Sequence, residues 1–219
     1  MQAAASSQCA RARPALQRQL PARPHPPRCR RSVAARAAAA AGKPSEPAAL
    51  AAFKAAHPAN LEECLSLLKT AATTKAVDPE IVEGALVWLE QNTAAGPAGG
   101  GVQSVDGSWR LVFSTSTGLR FFQYIPVKED LVIDTASKAI SLESELGPFR
   151  FVIGGAISGW RPESGELDFQ FSAVDILLFG NKIWTVNPAT KPKTYSFYFV
   201  GGRISAARSS AGGLSLLLK

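Results

Sequence analysis

The sequence predicts a mainly β protein, an antiparallel barrel of short strands preceded by a short helical segment. Three observations carry the prediction. Beyond a glycine-rich break at 94–101 the apolar residues change to a period of two, the repeat of a strand with one buried face. Turn-forming residues punctuate that region at short intervals, as they do in barrels and sandwiches. The region also opens on Asp106-Gly107-Ser108-Trp109-Arg110-Leu111-Val112-Phe113-Ser114-Thr115. A Gly-x-Trp entry of this kind recurs in small barrels that hold apolar molecules: the glycine allows close approach of the chain and the indole plugs one end.

The elements follow in order. Residues 1–42 are rich in Ala, Arg and Pro and contain no acid; eight of the arginines lie there, and Lys43 follows. A positive, acid-poor, weakly structured segment without a long apolar core reads as a disordered organelle transit peptide rather than a secretory signal. The net charge of +7 belongs to this extension. Beyond Lys43 fifteen Lys and Arg face all seventeen acids, so the remainder offers no clustered cations for a phosphate backbone and nucleic acid is excluded as a partner. No apolar run reaches the ~18 residues of a transmembrane helix. Cys64 is the one cysteine past the extension, so no disulfide framework is expected.

Residues 43–93 form the helical prelude. Asn60 with Glu63 three residues on has the form of a capping box, and Leu61, Leu65 and Leu68 then repeat at helical spacing. Asp78-Pro79 is an acidic cap followed by proline at the first helical position, and Ile81, Ala85, Trp88 and Leu89 make an apolar stripe that packs on its own domain. Ser45–His57 is an alanine-rich candidate. Residues 94–103 are a flexible linker.

From 104 to 219 eight to ten strands are expected, around 107–115, 119–125, 129–135, 138–144, 149–157, 166–173, 177–185, 194–200, 203–208 and 214–218. Gly147-Pro148, Pro162–Gly165, Gly180-Asn181-Lys182 and Asn187-Pro188 are turns, and Gly201-Gly202 reads as a two-residue hairpin. Eight strands enclose an interior just wide enough for side chains or one small ligand. The lining is assigned to Trp109, Leu111, Phe113 and Phe121 in the first half and to Leu167, Phe169 and Phe171 in the middle. Tyr195, Phe197 and Phe199 complete it. Gly107 and Trp109 close one end, with Arg203 or Arg208 over the indole in a cation–π contact.

Catalytic groups are sparse. His57 is the only histidine beyond the extension, and neither Cys nor His occurs after Cys64. Imidazole and thiolate catalysis and metal sites built on those groups are therefore not expected in the β-region. Glu143, Glu145 and Asp168 alternate with apolar residues and read as a solvated strand face. Asp175, before Ile176-Leu177-Leu178-Phe179, is either a turn acceptor or a polar group at the rim. No catalytic residue, cofactor or metal is assigned.

Ile81-Val82-Glu83 through Trp88-Leu89-Glu90-Gln91-Asn92, the Asp106–Thr115 opening, and Tyr198 to Leu218 with Arg203-Ile204, Arg208 and Gly213 together resemble the plastid lipid-associated proteins, also called plastid fibrillins. The resemblance covers residues 60–219 and is most specific at its two ends. It departs from the family at Val200–Gly201, where an aspartate is usual, and at Trp184–Pro188. It implies a chloroplast protein with a transit peptide and a lipocalin-like barrel. It also implies non-catalytic binding of isoprenoid or acyl lipids, with peripheral contact at thylakoids or plastoglobules. Leu119–Ile125, with adjacent Phe121 and Phe122, is the expected contact segment. A filled barrel acting as a protein–protein scaffold or assembly factor for thylakoid complexes is the alternative.

Overall fold

The computed structural model describes residues 47–93, 101–117 and 122–219. The expected transit segment, most of the linker, and Phe121 lie outside the described residues.

The caps read from the sequence start the helices. Helix α1 spans Ala48–Ala56, α2 Leu61–Thr74 and α3 Pro79–Asn92. The Asn60 carboxamide oxygen accepts from the Glu63 N–H at 2.9 Å, while the Glu63 carboxylate turns to His57 at 3.5 Å, so only half of a capping box forms. The Asp78 carboxylate accepts from the Glu80 N–H at 2.8 Å, with Pro79 at the first helical position. Cys64, Leu67, Leu68, Val82, Ala85 and Leu86 are buried, whereas Leu61 is exposed. The buried stripe of α2 is therefore rotated one position from the expected Leu61–Leu65–Leu68 line.

Nine antiparallel strands follow: β1 (Gly107–Ser114), β2 (Lys128–Asp134), β3 (Ala139–Leu146), β4 (Phe149–Arg161), β5 (Glu166–Leu178), β6 (Asn181–Val186), β7 (Lys193–Val200), β8 (Ile204–Ser209) and β9 (Leu214–Leu218). Their order is β4-β3-β2-β1-β9-β8-β7-β5-β6, and β4 also pairs with β5. That last pairing closes eight strands into a ring. On its other flank, β5 pairs with β7 over Glu166–Phe169 and with β6 over Val174–Leu178. The far half of β5 and all of β6 therefore project past the closure.

Two cores result. The helices cover the outer face of β1, β7, β8 and β9, where Val112, Phe113, Tyr198, Ile204, Leu214 and Leu216 pack against Phe53, Leu68 and Leu89. The interior of the ring holds Trp109, Leu131, Ile133, Leu167, Phe169 and Phe197. Strands β8 and β9 lie between the two layers and are buried on both faces. This is why Ile204–Ala207 and Leu214–Leu218 do not alternate cleanly. Arg208 ties the layers together, its Nε and Nη2 donating to the Glu90 carboxylate at 2.6 and 2.5 Å.

Several expectations change. The run 177–185 is not one strand: Phe179 and Gly180 both have positive φ and turn the chain between β5 and β6. The β7–β8 connection takes Gly201, Gly202 and Arg203 rather than two residues, with the Gly201 N–H donating to the Ile204 carbonyl at 2.9 Å. Within 122–125 there is only an isolated bridge between Phe113 and Tyr124. The Tyr124 hydroxyl donates to the Val77 carbonyl at 2.8 Å and the Lys75 ammonium to the Ile125 carbonyl at 2.6 Å. The described part of the expected contact segment is thus tied back to the helices, with Phe122 exposed.

Candidate functional site

Strand phase decides which side chains enter the ring. On β1, Trp109 and Leu111 point inward. The register with β9 then slips, Leu111 pairing with Leu217 and Phe113 with Leu216. A one-residue bulge sends the next side chains to the opposite face. Phe113 is consequently not a lining residue; it lies under the helices, edge-on to Tyr124 at 5.3 Å. The same slip occurs on β7, where Phe197 pairs with Ala207 and Phe199 with Ala206. Phe197 stays inside and Phe199 goes outside, lining a cleft of about 510 Å³ against α2 with Leu65, Lys69 and Arg203. Strand β5 uses a bulge to the opposite end. Gly154 pairs with Ala173 and Gly155 with Phe171, so Ser172 is extra, and Val174, Ile176 and Leu178 keep the inward phase of Leu167, Phe169 and Phe171.

The closure of the end also differs from the expectation. Trp109 is buried, and its Nε1 donates to the Val105 carbonyl at 2.8 Å. The cation over its ring is Lys219, 5.0 Å from the centroid, rather than Arg203 or Arg208. The Lys219 ammonium also donates to the Asp106 carbonyl at 3.0 Å, beside Gly107 at φ +110°. Arg203 contributes its carbonyl, accepting from the Lys219 N–H at 2.8 Å; Arg208 is held by Glu90.

The closed half of the ring is packed. Phe169 meets Phe171 edge-on at 5.2 Å and Tyr195 at 5.0 Å. The cavity bounded by Leu111, Leu131, Leu142, Tyr195, Ala207 and Leu217 has a volume of about 10 Å³, at most one water. A molecule of lipid size has no room there.

The projecting half is open. Because the bulge keeps β5 in phase, the inward face of the ring continues across β3, β4, β5 and β6 as one apolar surface. One register row runs Leu142–Ile153–Val174–Val186 and the next Ser144–Phe151–Ile176–Trp184. Leu146–Phe149–Leu178 lies at the tip. Trp184 is 65 % exposed and Leu146 58 %, so nothing within the described residues covers this face. The opposite face carries the charge. Arg150 pairs with Glu143, Lys128 with Glu145 at 3.0 Å and Lys182 with Asp175 at 3.4 Å. Asp175 also accepts from the Thr185 hydroxyl, and this hydrogen bond is the main reason its pKa is lowered. It lies within β5 on the outer face and is not a turn acceptor. Asp168 and Glu166 are held ionised chiefly by hydrogen bonds from Arg161.

At the tip, Phe179 is 80 % exposed and adopts φ 48°. A two-residue turn with both φ values positive favours Asn-Gly, and an aromatic residue in the left-handed region costs about 1–2 kcal/mol. Phe179→Asn is expected to raise stability by about 1 kcal/mol, read as a shift of the urea midpoint at constant slope.

One inward polar group was not singled out from the sequence. Glu129 lies on β2 between Lys128 and Asp130, paired with Ser144. Burial raises its pKa, and among the described residues no hydrogen bond or ion pair reaches its carboxyl. Its charge adds to the burial that raises the Tyr195 hydroxyl. The signal available was its place in Lys-Glu-Asp-Leu-Val-Ile-Asp, where Glu129, Leu131 and Ile133 share a face.

Among the described residues no cluster of three or more His, Cys, Asp or Glu is placed to hold a metal ion, and no helix is long and apolar enough to cross a membrane. No protein-family model matches the chain, and neither curated proteins nor solved structures give a match.

Proposed function

We propose that this is a non-catalytic lipid-associated protein, in the manner of the plastid lipid-associated proteins it resembles, with the ring as a lipocalin-like barrel. It binds or organises isoprenoid or acyl lipids at thylakoids or plastoglobules, and residues 1–42 direct it to the chloroplast. The observation that carries the reading is the uncovered apolar face of β3–β6, backed by a fully ion-paired opposite face. An amphipathic sheet with exposed Trp184, Phe149 and Phe179 suits contact with an apolar phase that it does not span. The working surface in this reading is the open extension of the ring and not an enclosed lumen.

The test is flotation of the full chain with oil droplets coated in uncharged lipid. Wild type is expected to float with the droplets at both low and high salt, because the charges of the opposite face are already paired. The triple variant Ile183→Ser, Trp184→Ser, Val186→Ser is expected to stay in the aqueous layer with an unchanged melting curve. Wild type remaining in the aqueous layer would end this reading.

The packed interior favours a second reading, a protein–protein scaffold for thylakoid complexes. In that case organic extraction of protein taken from its native membrane yields no stoichiometric lipid, and a protein partner co-purifies instead. Strand β6, the last in the sheet order, would then offer its free edge to a partner strand.

A further inference from the structure

The row that begins at Glu129 continues, strand by strand, through Ser144, Phe151 and Ile176 to Trp184. Four strand spacings separate its ends, roughly 19 Å. On one side lies the wholly apolar row from Leu131 to Val186. A polar group thus stands at the inner end of an apolar strip that is covered at that end and open at the other. Lys128 and Asp130 point away and are paired on the outer face, Lys128 with Glu145 at 3.0 Å and Asp130 with Arg110. Neither can reach inward to neutralise the carboxyl between them. An unpaired, half-buried acid costs stability unless something else satisfies it.

We propose that Glu129 is the polar anchor of this strip and that its occupant is an elongated hydrocarbon with a hydroxyl head. This rests on the lipid-binding reading above and specifies its ligand. The groups that set the head group are Ser144 of β3, the register partner of Glu129, and the Tyr195 hydroxyl of β7, near enough to feel the Glu129 charge, both neutral; Tyr195 and Ser215 of β9 line the small cavity in the ring. A carboxyl oxygen accepts and a phenol donates, the pair that one alcohol group satisfies. The chain lies along Phe151 and Ile176 towards Trp184. A fatty-acid carboxylate is disfavoured, because two like charges would meet in a poorly solvated site.

The experiment is equilibrium dialysis of the full chain at pH 8 with tritiated 1-dodecanol, dodecane, dodecanoate and dodecylammonium. Wild type is expected to bind dodecanol about tenfold tighter than dodecane, and dodecanoate weakest. Glu129→Leu should erase the preference for the alcohol while dodecane binding is kept, and Glu129→Gln, which retains an acceptor oxygen, should keep most of it. Trp184→Ser is expected to weaken dodecane and dodecanol equally. An alcohol preference that survives Glu129→Leu overturns the proposal, as does wild type that prefers dodecylammonium to dodecanol. Equal binding of dodecane and dodecanol sinks the anchor alone. Binding of none of the four sinks the lipid reading beneath it.

Discussion

Trp109→Ala is expected to lower the stability of the protein by about 3–5 kcal/mol, the range for removing a large, fully buried aromatic side chain. Trp109 is 1 % exposed and lies among Val105, Leu131 and Ile133 at the packed end of the ring. Three losses coincide on truncation. The apolar contacts go, a cavity opens that these neighbours cannot fill, and the Val105 carbonyl loses the indole N–H that it accepts at 2.8 Å. Trp109→Phe keeps most of the volume and loses the donor, so it should cost about 1–3 kcal/mol. Urea unfolding with an unchanged slope reads both. If the open face of β3–β6 binds lipid as proposed, the amount bound per folded molecule should stay the same in either variant, because that face does not include Trp109. Reduced lipid binding with an unaltered midpoint would make Trp109 a contact residue and return the binding site to the interior of the ring.

That contrast shows where sequence reasoning reached and where it stopped. The caps at Asn60 and Asp78 and the alternation over Leu167–Phe171 are local signals, and the structure keeps each of them. The change of face at Phe113 and Phe199 was not legible. A bulge is a relation between two strands, and Leu111-Val112-Phe113 looks the same with or without a register slip against β9. Lys219 over Trp109 was missed for a related reason, since the contact joins residues 110 positions apart that only the pairing of β1 with β9 brings together. The open face was hidden because the expected strands 166–173 and 177–185 left Val174 and Ile176 between them, whereas β5 runs unbroken from Glu166 to Leu178. Only the pairing of β5 with β6, in place of β7, leaves Val174, Ile176 and Leu178 uncovered. Glu129 was passed over, although it shares the face of Leu131 and Ile133 on β2. The features on which the proposed function rests are those that depend on topology.

Gly155→Val is the second large effect, and it tests that topology directly. A Cβ at Gly155 would overlap the Gln170 carbonyl and stand 2.7 Å from the Phe171 Cα. Both obstacles are backbone at the bulge of β5, so no rotamer change relieves them. The strands must part where β4 and β5 close the ring, between the pairs Gly154↔Ala173 and Gly155↔Phe171. Overpacking of a core typically costs about 1–3 kcal/mol, occasionally more; a clash with backbone belongs at or beyond the upper end. Gly154 supplies the control: nothing lies within 4 Å of its Cβ position, so Gly154→Ala should be neutral or slightly stabilising. Hydrogen exchange separates global from local effects. In Gly155→Val, amides of Val152–Ile157 and Phe169–Val174 are expected to lose protection first, with α2 and α3 retaining theirs, because the helices pack on the opposite flank of the ring. Lipid binding should fall in the same variant while the apolar residues all remain. The bulge sets the phase of Val174, Ile176 and Leu178, and a slip of one residue there exchanges the apolar face for the charged one. Full lipid binding by a Gly155→Val protein with frayed β4–β5 pairing would mean that the apolar composition of the hairpins suffices and that their register does not matter.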